Sequence, residues 1–156
     1  MNPAVKQEIL SILQEGRDLA LATIRPDGFP QATTVSYASD GLTIYFGCAA
    51  SSQKAHNLAR DDRISAVIDL PYKDWSQIRG LSLGGRARRL TDRETIAKVG
   101  VAFFRKFPET AQYVDAGADL ALYEITPAVI SILDYGKGFG HTELVHVGEL
   151  AASGGG

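Results

Sequence analysis

Two serines and a lysine that follow a strand-like segment form the clearest chemical group in this sequence. The segment from Leu42 to Lys54 reads LTIYFGCAASSQK, and its first half alternates bulky and β-branched residues. Its second half is small, so backbone amides are open to a ligand, and Ser52 is a candidate N-cap for a helix over 52–60. Ser51 and Ser52 offer hydroxyl groups, and Lys54 offers a positive charge beside the positive end of that helix. The pattern predicts an anion site, most simply for phosphate, although a capped helix without a ligand fits equally well.

Other reactive side chains are few. Cys48 is the only cysteine, which excludes an intrachain disulfide and a cysteine-rich zinc site. The three histidines, His56, His141 and His146, do not have the spacing of metal ligands on one helix. His141 ends the stretch KGFGH, in which glycines, a cation and an imidazole would suit a mobile segment, and a surface loop is the alternative. Gly84-Gly85 lies within a predicted strand and is no dinucleotide fingerprint.

Composition limits the classes of protein to consider. The 156 residues, 45% of them hydrophobic, fit one domain, which we expect to span 1–148, with a flexible tail at 149–156. A net charge of −2 argues against general nucleic-acid binding, which needs a basic face. No apolar run approaches the ~20 residues that cross a bilayer. The N-terminal segment carries Glu8 and Glu15 in its apolar pattern, which indicates a helix and not a signal peptide. We therefore expect a cytoplasmic protein.

Hydrophobic periodicity predicts many short strands and three helices. An N-terminal helix ends at Gly16, and Asp27-Gly28 supplies the turn of a hairpin. The segment 75–90 is predicted as one long strand that bends at its glycines. Thr91 is predicted to cap a helix through Phe107, and Pro127 to separate the last two strands. These elements together predict a small antiparallel barrel with helices around it.

The order of parts resembles the FMN-binding split-barrel family typified by pyridoxamine 5'-phosphate oxidase. The resemblance covers residues 18 to about 147 and rests on four blocks, which read LATIRPDGFPQATTVSY, IYFGCAASSQKAHNLARDDRISAVID, WSQIRGLSLGGRARRLTD and LYEITPAVISILDYGKGFGHTEL. It implies a mainly β (α+β) fold, an antiparallel split β-barrel with flanking helices. It also implies a homodimer that holds FMN at the subunit interface.

The resemblance further implies which residues contact the cofactor. The strand over 31–36 would run along the flavin and place Thr33, Thr34 and Val35 beside its ring. The family's Ser-Arg-Lys phosphate motif falls on Ser52, Gln53 and Lys54, so glutamine replaces the arginine. One bidentate phosphate donor is thereby missing, and further cations must come from elsewhere. The candidates for them are Arg79 and Arg86.

Small and aromatic residues complete the expected site. Cys48 and Ala49 would let the backbone approach the cofactor. The resemblance leads us to expect Trp75, Gln77 and Phe139 at the site or at the dimer interface. For Trp75, packing in a core or interface is favoured over stacking on flavin, because aromatic residues dominate such surfaces. His141 is the best available proton donor and would close over the flavin of the partner subunit.

The expected function is that of a flavin-dependent oxidoreductase, in which FMN accepts a hydride from a reduced nicotinamide or an organic substrate. The oxidase's C-terminal Arg-x-His substrate motif is absent, so we do not expect oxidation of pyridoxamine phosphate. Two alternatives remain open. The deazaflavin F420 could occupy the same fold, since Gln53 alters the FMN-type phosphate contacts. The chain could instead be a non-catalytic module that binds flavin or haem.

Overall fold

The structure is a computed structural model that describes residues 2–113 and 119–148. In chain order, its helices and strands are α1 (Pro3–Glu15), β1 (Asp18–Ile24), β2 (Pro30–Asp40), β3 (Thr43–Ala49), α2 (Gln53–Arg60), β4 (Arg63–Asp69), β5 (Arg79–Arg89), α3 (Arg93–Lys106), α4 (Thr110–Tyr113), β6 (Leu120–Asp134) and β7 (Thr142–His146). The tail expected at 149–156 lies outside the described residues. The helices of the described ranges are all too short or too polar to cross a membrane.

Six strands close into an antiparallel barrel. Their order is β3-β2-β1-β4-β5-β6, and a further pairing of β3 with β6 completes the ring. The long strand β6 belongs to two parts of the sheet. Its first half pairs with β3, and its second half pairs with β7. The predicted fold class, a mainly β barrel with flanking helices, is therefore confirmed.

The barrel core follows from strict alternation along the strands. In β4, for example, every second residue is buried, because successive side chains point to opposite faces. The α1 helix adds Ile9, Ile12 and Leu13 to this core, and Gly16 ends the helix as predicted. The Tyr37 hydroxyl donates to the Leu13 carbonyl oxygen at 2.7 Å, which ties α1 to β2. With its interior filled, the barrel offers its outer face to ligands.

Two predicted element starts are wrong. The predicted strand 75–90 begins as a 3₁₀ turn, Trp75–Gln77, because the Asp74 carboxylate accepts the Ser76 N–H and starts a turn there. Helix α3 is capped by Asp92 and not by Thr91, since a carboxylate oxygen of Asp92 accepts the Thr95 N–H at 2.9 Å. That helix ends at Lys106, one residue before the predicted end.

The predicted break at Pro127 is also wrong, because β6 continues through it. The register of β5 against β6 shifts between Gly84 and Gly85, opposite Pro127. A bulge leaves a backbone group out of the ladder, so proline costs no hydrogen bond there. A Cβ on Gly85 would collide with the Thr126 carbonyl oxygen, which explains the glycine. The bend predicted from the glycines of the segment 75–90 therefore lies at this bulge.

Candidate functional site

Strands β2 and β3 separate along part of their length. They pair only where Tyr37–Asp40 faces Thr43–Phe46. From Pro30 to Ser36, β2 pairs with β1, and from Gly47 to Ala49, β3 pairs with β6. Within the described residues, the second edge of β2 over Pro30–Ser36 has no strand partner and opens onto a split.

Backbone groups of alternate β2 residues point into this split. Tyr37 donates its N–H to the Arg17 carbonyl oxygen, on the β1 side, at 3.1 Å. The direction alternates along an antiparallel strand, so Ser36 and Thr34 direct their N–H and C=O groups away from β1. The Thr34 side chain is exposed, whereas Thr33 lies on the inner face with the buried Val35. Of the three predicted β2 residues, Thr34 presents both its backbone and its side chain outside the barrel.

Helix α2 is anchored beside the split by one fully buried asparagine. Asn57 donates from Nδ2 to Thr23 Oγ1 at 3.0 Å and to Gln31 Oε1 at 3.1 Å. Its Oδ1 accepts from Nε2 of Gln53 at 2.8 Å. These bonds hold α2 on β1 and β2. The side chain of Gln53, at the position of the family's arginine, therefore takes part in anchoring the helix.

The loop before α2 carries the predicted anion site. Ser52 Oγ accepts the Ala55 N–H at 3.3 Å, which confirms Ser52 as the N-cap. Asp119, the residue before β6, binds the same loop: its carboxylate accepts the Ser51 N–H at 3.2 Å and its carbonyl accepts the Ala50 N–H at 3.0 Å. The Ser52 N–H donates to the Ala49 carbonyl at 3.0 Å. The expectation that the amides of this loop are open to a ligand is therefore wrong for Ala50, Ser51 and Ser52.

The groups left for an anion lie at the first turn of α2. The N–H groups of Gln53 and Lys54 make no hydrogen bond to any described residue, as is usual at a helix start. Lys54 is half-buried and forms no ion pair with residues 2–113 or 119–148. Ser51 is exposed beside them. Two backbone N–H groups and one cation are therefore still available to bind an anion.

An apolar cavity of about 520 Å³ lies next to the split, between the barrel and helices α3 and α4. It is lined by Ser36, Gly47, Gly100, Phe103, Phe104, Thr110, Ala111, Leu120 and Leu122. A Cβ on Gly47 would lie 3.1 Å from Leu122 Cδ2 and 3.3 Å from Leu120 Cδ1, so the glycine keeps this wall open. Cys48 is buried towards the barrel interior, and Ala49 is exposed at the outer face. Small-ligand pockets are typically apolar and about this size.

The remaining predicted site residues lie at the other end of β6. Arg79 pairs in register with Asp134, the last residue of β6, whereas Ala49 pairs with Leu120, the first. Within one subunit, Arg79 is therefore far from the Ser52 loop, and its Nη1 lies 3.8 Å from Oε2 of Glu15. The other candidate cation, Arg86, is exposed and pairs with Asp62.

Aromatic rings cluster around this second group. The rings of Trp75 and Phe139 are 6.1 Å apart, and those of Tyr135 and Phe139 are 5.3 Å apart. Phe139 is 82% exposed and Trp75 is 64% exposed. Gln77 accepts the Lys73 N–H at 3.0 Å as part of the turn, and His141 is exposed beside Phe139 in the chain. Within one subunit, His141 therefore lies on the same loop as Phe139, while the split, the Ser52 loop and the cavity form a separate group.

Metal binding finds no support in the described residues. Across 2–113 and 119–148, histidine, cysteine and acidic side chains do not gather in threes as metal ligands do.

The family model for pyridoxamine 5'-phosphate oxidase matches residues 5–134 of the sequence. The chain belongs to the pyridoxamine 5'-phosphate oxidase family. The match runs from α1 to the end of β6, so it includes the split, the Ser52 loop and the cavity, and it leaves His141 outside. Members of this family typically bind flavin and are commonly dimeric. No functionally curated protein matches the sequence.

Several solved structures share the fold of this protein. A haem binding protein from Mycobacterium smegmatis superposes with a TM-score of 0.81 at 23% identity, over 97% of this chain and 62% of that one. A putative pyridoxamine 5'-phosphate oxidase from Listeria innocua gives 0.68 at 22% identity, over 83% and 98%. HutZ, the haem storage protein from Vibrio cholerae, gives 0.68 at 19% identity, over 78% and 89%. At these identities the likeness shows the shared fold.

Several residues of the site were missed by the sequence analysis. Asn57 was missed, although it follows Gln53 by four residues on a helix, which was a usable signal for the hydrogen bond between them. Asp119 gave no local signal, because its partner Ser51 is 68 residues away in the chain. The cavity likewise combines residues from distant segments, such as Ser36 and Phe103.

Proposed function

We propose that the chain forms a homodimer that binds FMN and acts as a flavin-dependent oxidoreductase. The observation that carries this proposal is the apolar cavity beside the split of β2 and β3. The cation and free amides lie at the first turn of α2, which follows β3 in the chain, and β3 forms one cavity wall. This combination suits a ligand with a flat apolar ring and an anionic end.

Each part of FMN has a candidate partner. Lys54 and the N–H groups of Gln53 and Lys54 would hold the phosphate. Thr34 and Ser36 would meet the polar edge of the ring with the backbone groups that point into the split. Gly47 keeps one cavity wall free of a Cβ that would crowd Leu122 and Leu120. Once bound, FMN supplies the hydride chemistry, and the protein binds the ring, orients it and excludes water.

The dimer would bring the second residue group to the first. Trp75 and Phe139 expose large aromatic surfaces, which is typical of interfaces. On the outer faces of β1 and β4, Ala20 lies opposite Val67 and Ala22 lies opposite Ser65, so these paired positions carry no charge and no long side chain. Such a flat face suits a second copy of the same sheet. In this arrangement the Trp75–Phe139 cluster of one subunit covers the flavin of the other, and His141 is its candidate proton donor.

Haem binding is the second candidate, because two of the structural relatives are haem proteins. Haem iron needs an axial ligand such as histidine, cysteine, methionine or tyrosine. Among the described residues, none of these types lines the cavity beside the split. His56 lines a different cavity, of about 440 Å³, together with Arg88 and Arg89. Haem would therefore use that cavity, and the cavity beside the split favours flavin.

A visible spectrum of the purified protein, with mass spectrometry of what heat releases, tests the proposal. We expect flavin absorption bands and the mass of FMN, and oxidation of NADH or NADPH when an acceptor is supplied. Absorption and mass typical of F420 would show that the bound cofactor is the deazaflavin and not FMN. A haem spectrum that is lost in His56→Ala would favour the second candidate. A colourless protein that binds no added FMN would contradict the proposal.

Mixing two variants tests whether each site uses both subunits. Lys54→Ala and Phe139→Ala change the two residue groups separately, so each variant alone should bind FMN poorly. After subunit exchange in an equal mixture, about one quarter of the sites should be intact, because half of the dimers carry one site with neither change. If both residue groups of a subunit contributed to the same site within that subunit, mixing the variants would restore no intact sites.

A further inference from the structure

A third cavity, of about 750 Å³, lies on the opposite face of α3 from the apolar cavity. Its lining includes Lys98, Arg105 and Lys106 from α3, Asp40 and Tyr45 from the barrel, and Gln14 from α1. Three cations and one carboxylate line this cavity. Its charge therefore favours an anionic ligand.

Lys106 stands apart from the other cations of this cavity. Its Nζ lies 3.8 Å from the centre of the Tyr37 ring, 5.7 Å from that of Phe107 and 3.4 Å from the Leu13 carbonyl oxygen. It is half-buried, and no carboxylate of the described residues lies within ion-pair distance of it. An amine in these surroundings has lost water and has gained no counter-ion.

Burial and the neighbouring charges together lower the pKa of Lys106. Burial, followed by the positive charge of Arg17, lowers the pKa of Lys106 to about 8 against the opposing charge of Asp18. Arg17 lies over the other aromatic neighbour, 4.7 Å from the centre of the Phe107 ring, and pairs with Glu109 at 3.3 Å. Near pH 7.5, about a quarter of such an amine is uncharged, against roughly 0.1% of an ordinary lysine. The uncharged form is the nucleophile.

The other two cations of α3 can hold the anionic part of a ligand. Lys98 and Arg105 lie on the same face of the helix, two turns apart. Lys98 is exposed, and its Nζ lies 3.8 Å from Oε1 of Glu94. Arg105 is exposed and forms no ion pair with any described residue. A guanidinium group of this kind binds carboxylate or phosphate in a bidentate manner.

We propose that Lys106 is a carbonyl-binding amine that condenses reversibly with an aldehyde carrying an anionic group, held by Arg105 and Lys98. The lone pair of Nζ attacks the carbonyl carbon and forms a C–N bond, while the carbonyl π electrons move to oxygen. Proton transfer gives a neutral carbinolamine, its hydroxyl group takes up one proton from solvent and leaves as water, and the product is a protonated imine. No electrons are exchanged with another group, so the step needs no oxidant or reductant.

Reductive trapping tests this inference independently of flavin binding. The full chain is treated briefly with 4-formylbenzoate and cyanoborohydride, and the modified lysines are located by mass spectrometry of peptides. We expect Lys106 to react at least about tenfold faster than Lys98, because its larger uncharged fraction outweighs its lower basicity. The rate at Lys106 should rise with pH and level off above about 8. Benzaldehyde, which lacks the carboxylate, should keep the part of this preference that comes from the uncharged amine and lose the part that comes from Arg105 and Lys98, so its preference for Lys106 over the half-buried Lys6 should be smaller.

Two comparisons keep the inference falsifiable. Lys106→Arg retains a cation over the Tyr37 ring, so it should fold, and should lose the fast labelling while Lys98 reacts as before. Labelling of Lys98 or Lys6 as fast as Lys106 in the unaltered protein would overturn the proposal, whatever the variant does. An equal preference for the charged and the uncharged aldehyde would overturn the role of Arg105.

Discussion

Replacing Lys54 by alanine should weaken the binding of FMN far more than that of riboflavin, which lacks the phosphate. Lys54 is half-buried in the first turn of α2, has no described counter-ion, and adjoins two free N–H groups. A hydrogen bond to a charged group contributes about 1.5–3 kcal/mol. The dissociation constant of FMN should therefore rise about ten- to a hundredfold. The constant of riboflavin should stay within about twofold, since no phosphate contact is lost.

Quenching of flavin fluorescence during titration with protein measures both constants. Lys98→Ala is the control, because Lys98 is an exposed lysine on another helix, α3, and lies away from the split. It should leave both constants unchanged. Equal loss of FMN and riboflavin affinity in Lys54→Ala would refute the phosphate contact and point to a change in the loop itself.

Three further predictions concern stability, each measured by urea unfolding. Gly85→Ala should destabilise the fold by more than about 2 kcal/mol, because its Cβ meets a backbone carbonyl, whereas Gly84→Ala should be neutral or stabilise by up to about 1 kcal/mol. Equal effects would contradict the position of the bulge. Asn57→Ala should cost about 2–3 kcal/mol by leaving buried polar partners unpaired, and a loss below about 0.5 kcal/mol would contradict that network. Lys106 has its pKa lowered from 10.5 to about 8. The unfolded state therefore binds more protons between these values, and stability should rise with pH there in the unaltered protein but less in Lys106→Met. The same pH slope in both proteins would contradict the buried position of this amine.

Local features of the fold were predictable from the sequence. Gly16 ends α1, Asp27-Gly28 turns the first hairpin and Ser52 caps α2, because each of these effects depends on neighbours within a few residues. The wrong predictions arose where neighbouring residues gave equally good local signals. A threonine precedes Asp92, and both residue types are good caps, so the sequence did not decide between Thr91 and Asp92.

The candidate site was only partly predictable, for a different reason. The split depends on where β2 leaves β3, and the cavity depends on how α3 lies across the barrel, which are both long-range consequences of packing. The periodicity of β2 could show that Thr34 lies on a face of its strand, but not that this face adjoins an open edge. Asp119 illustrates the same limit, since only the closed barrel brings it to Ser51.

The double role of β6 has a consequence for the solubility of the folded chain. The barrel ring is already complete where β3 and β6 meet, so β7 is not needed for closure. It instead covers the edge of β6 from Val129 to Leu133, a stretch that contains the buried Ile130 and Ile132. An uncovered apolar edge of this length invites edge-to-edge association between molecules. Strand β7 therefore acts as a shield, and loss of its five residues should favour aggregation before it favours unfolding.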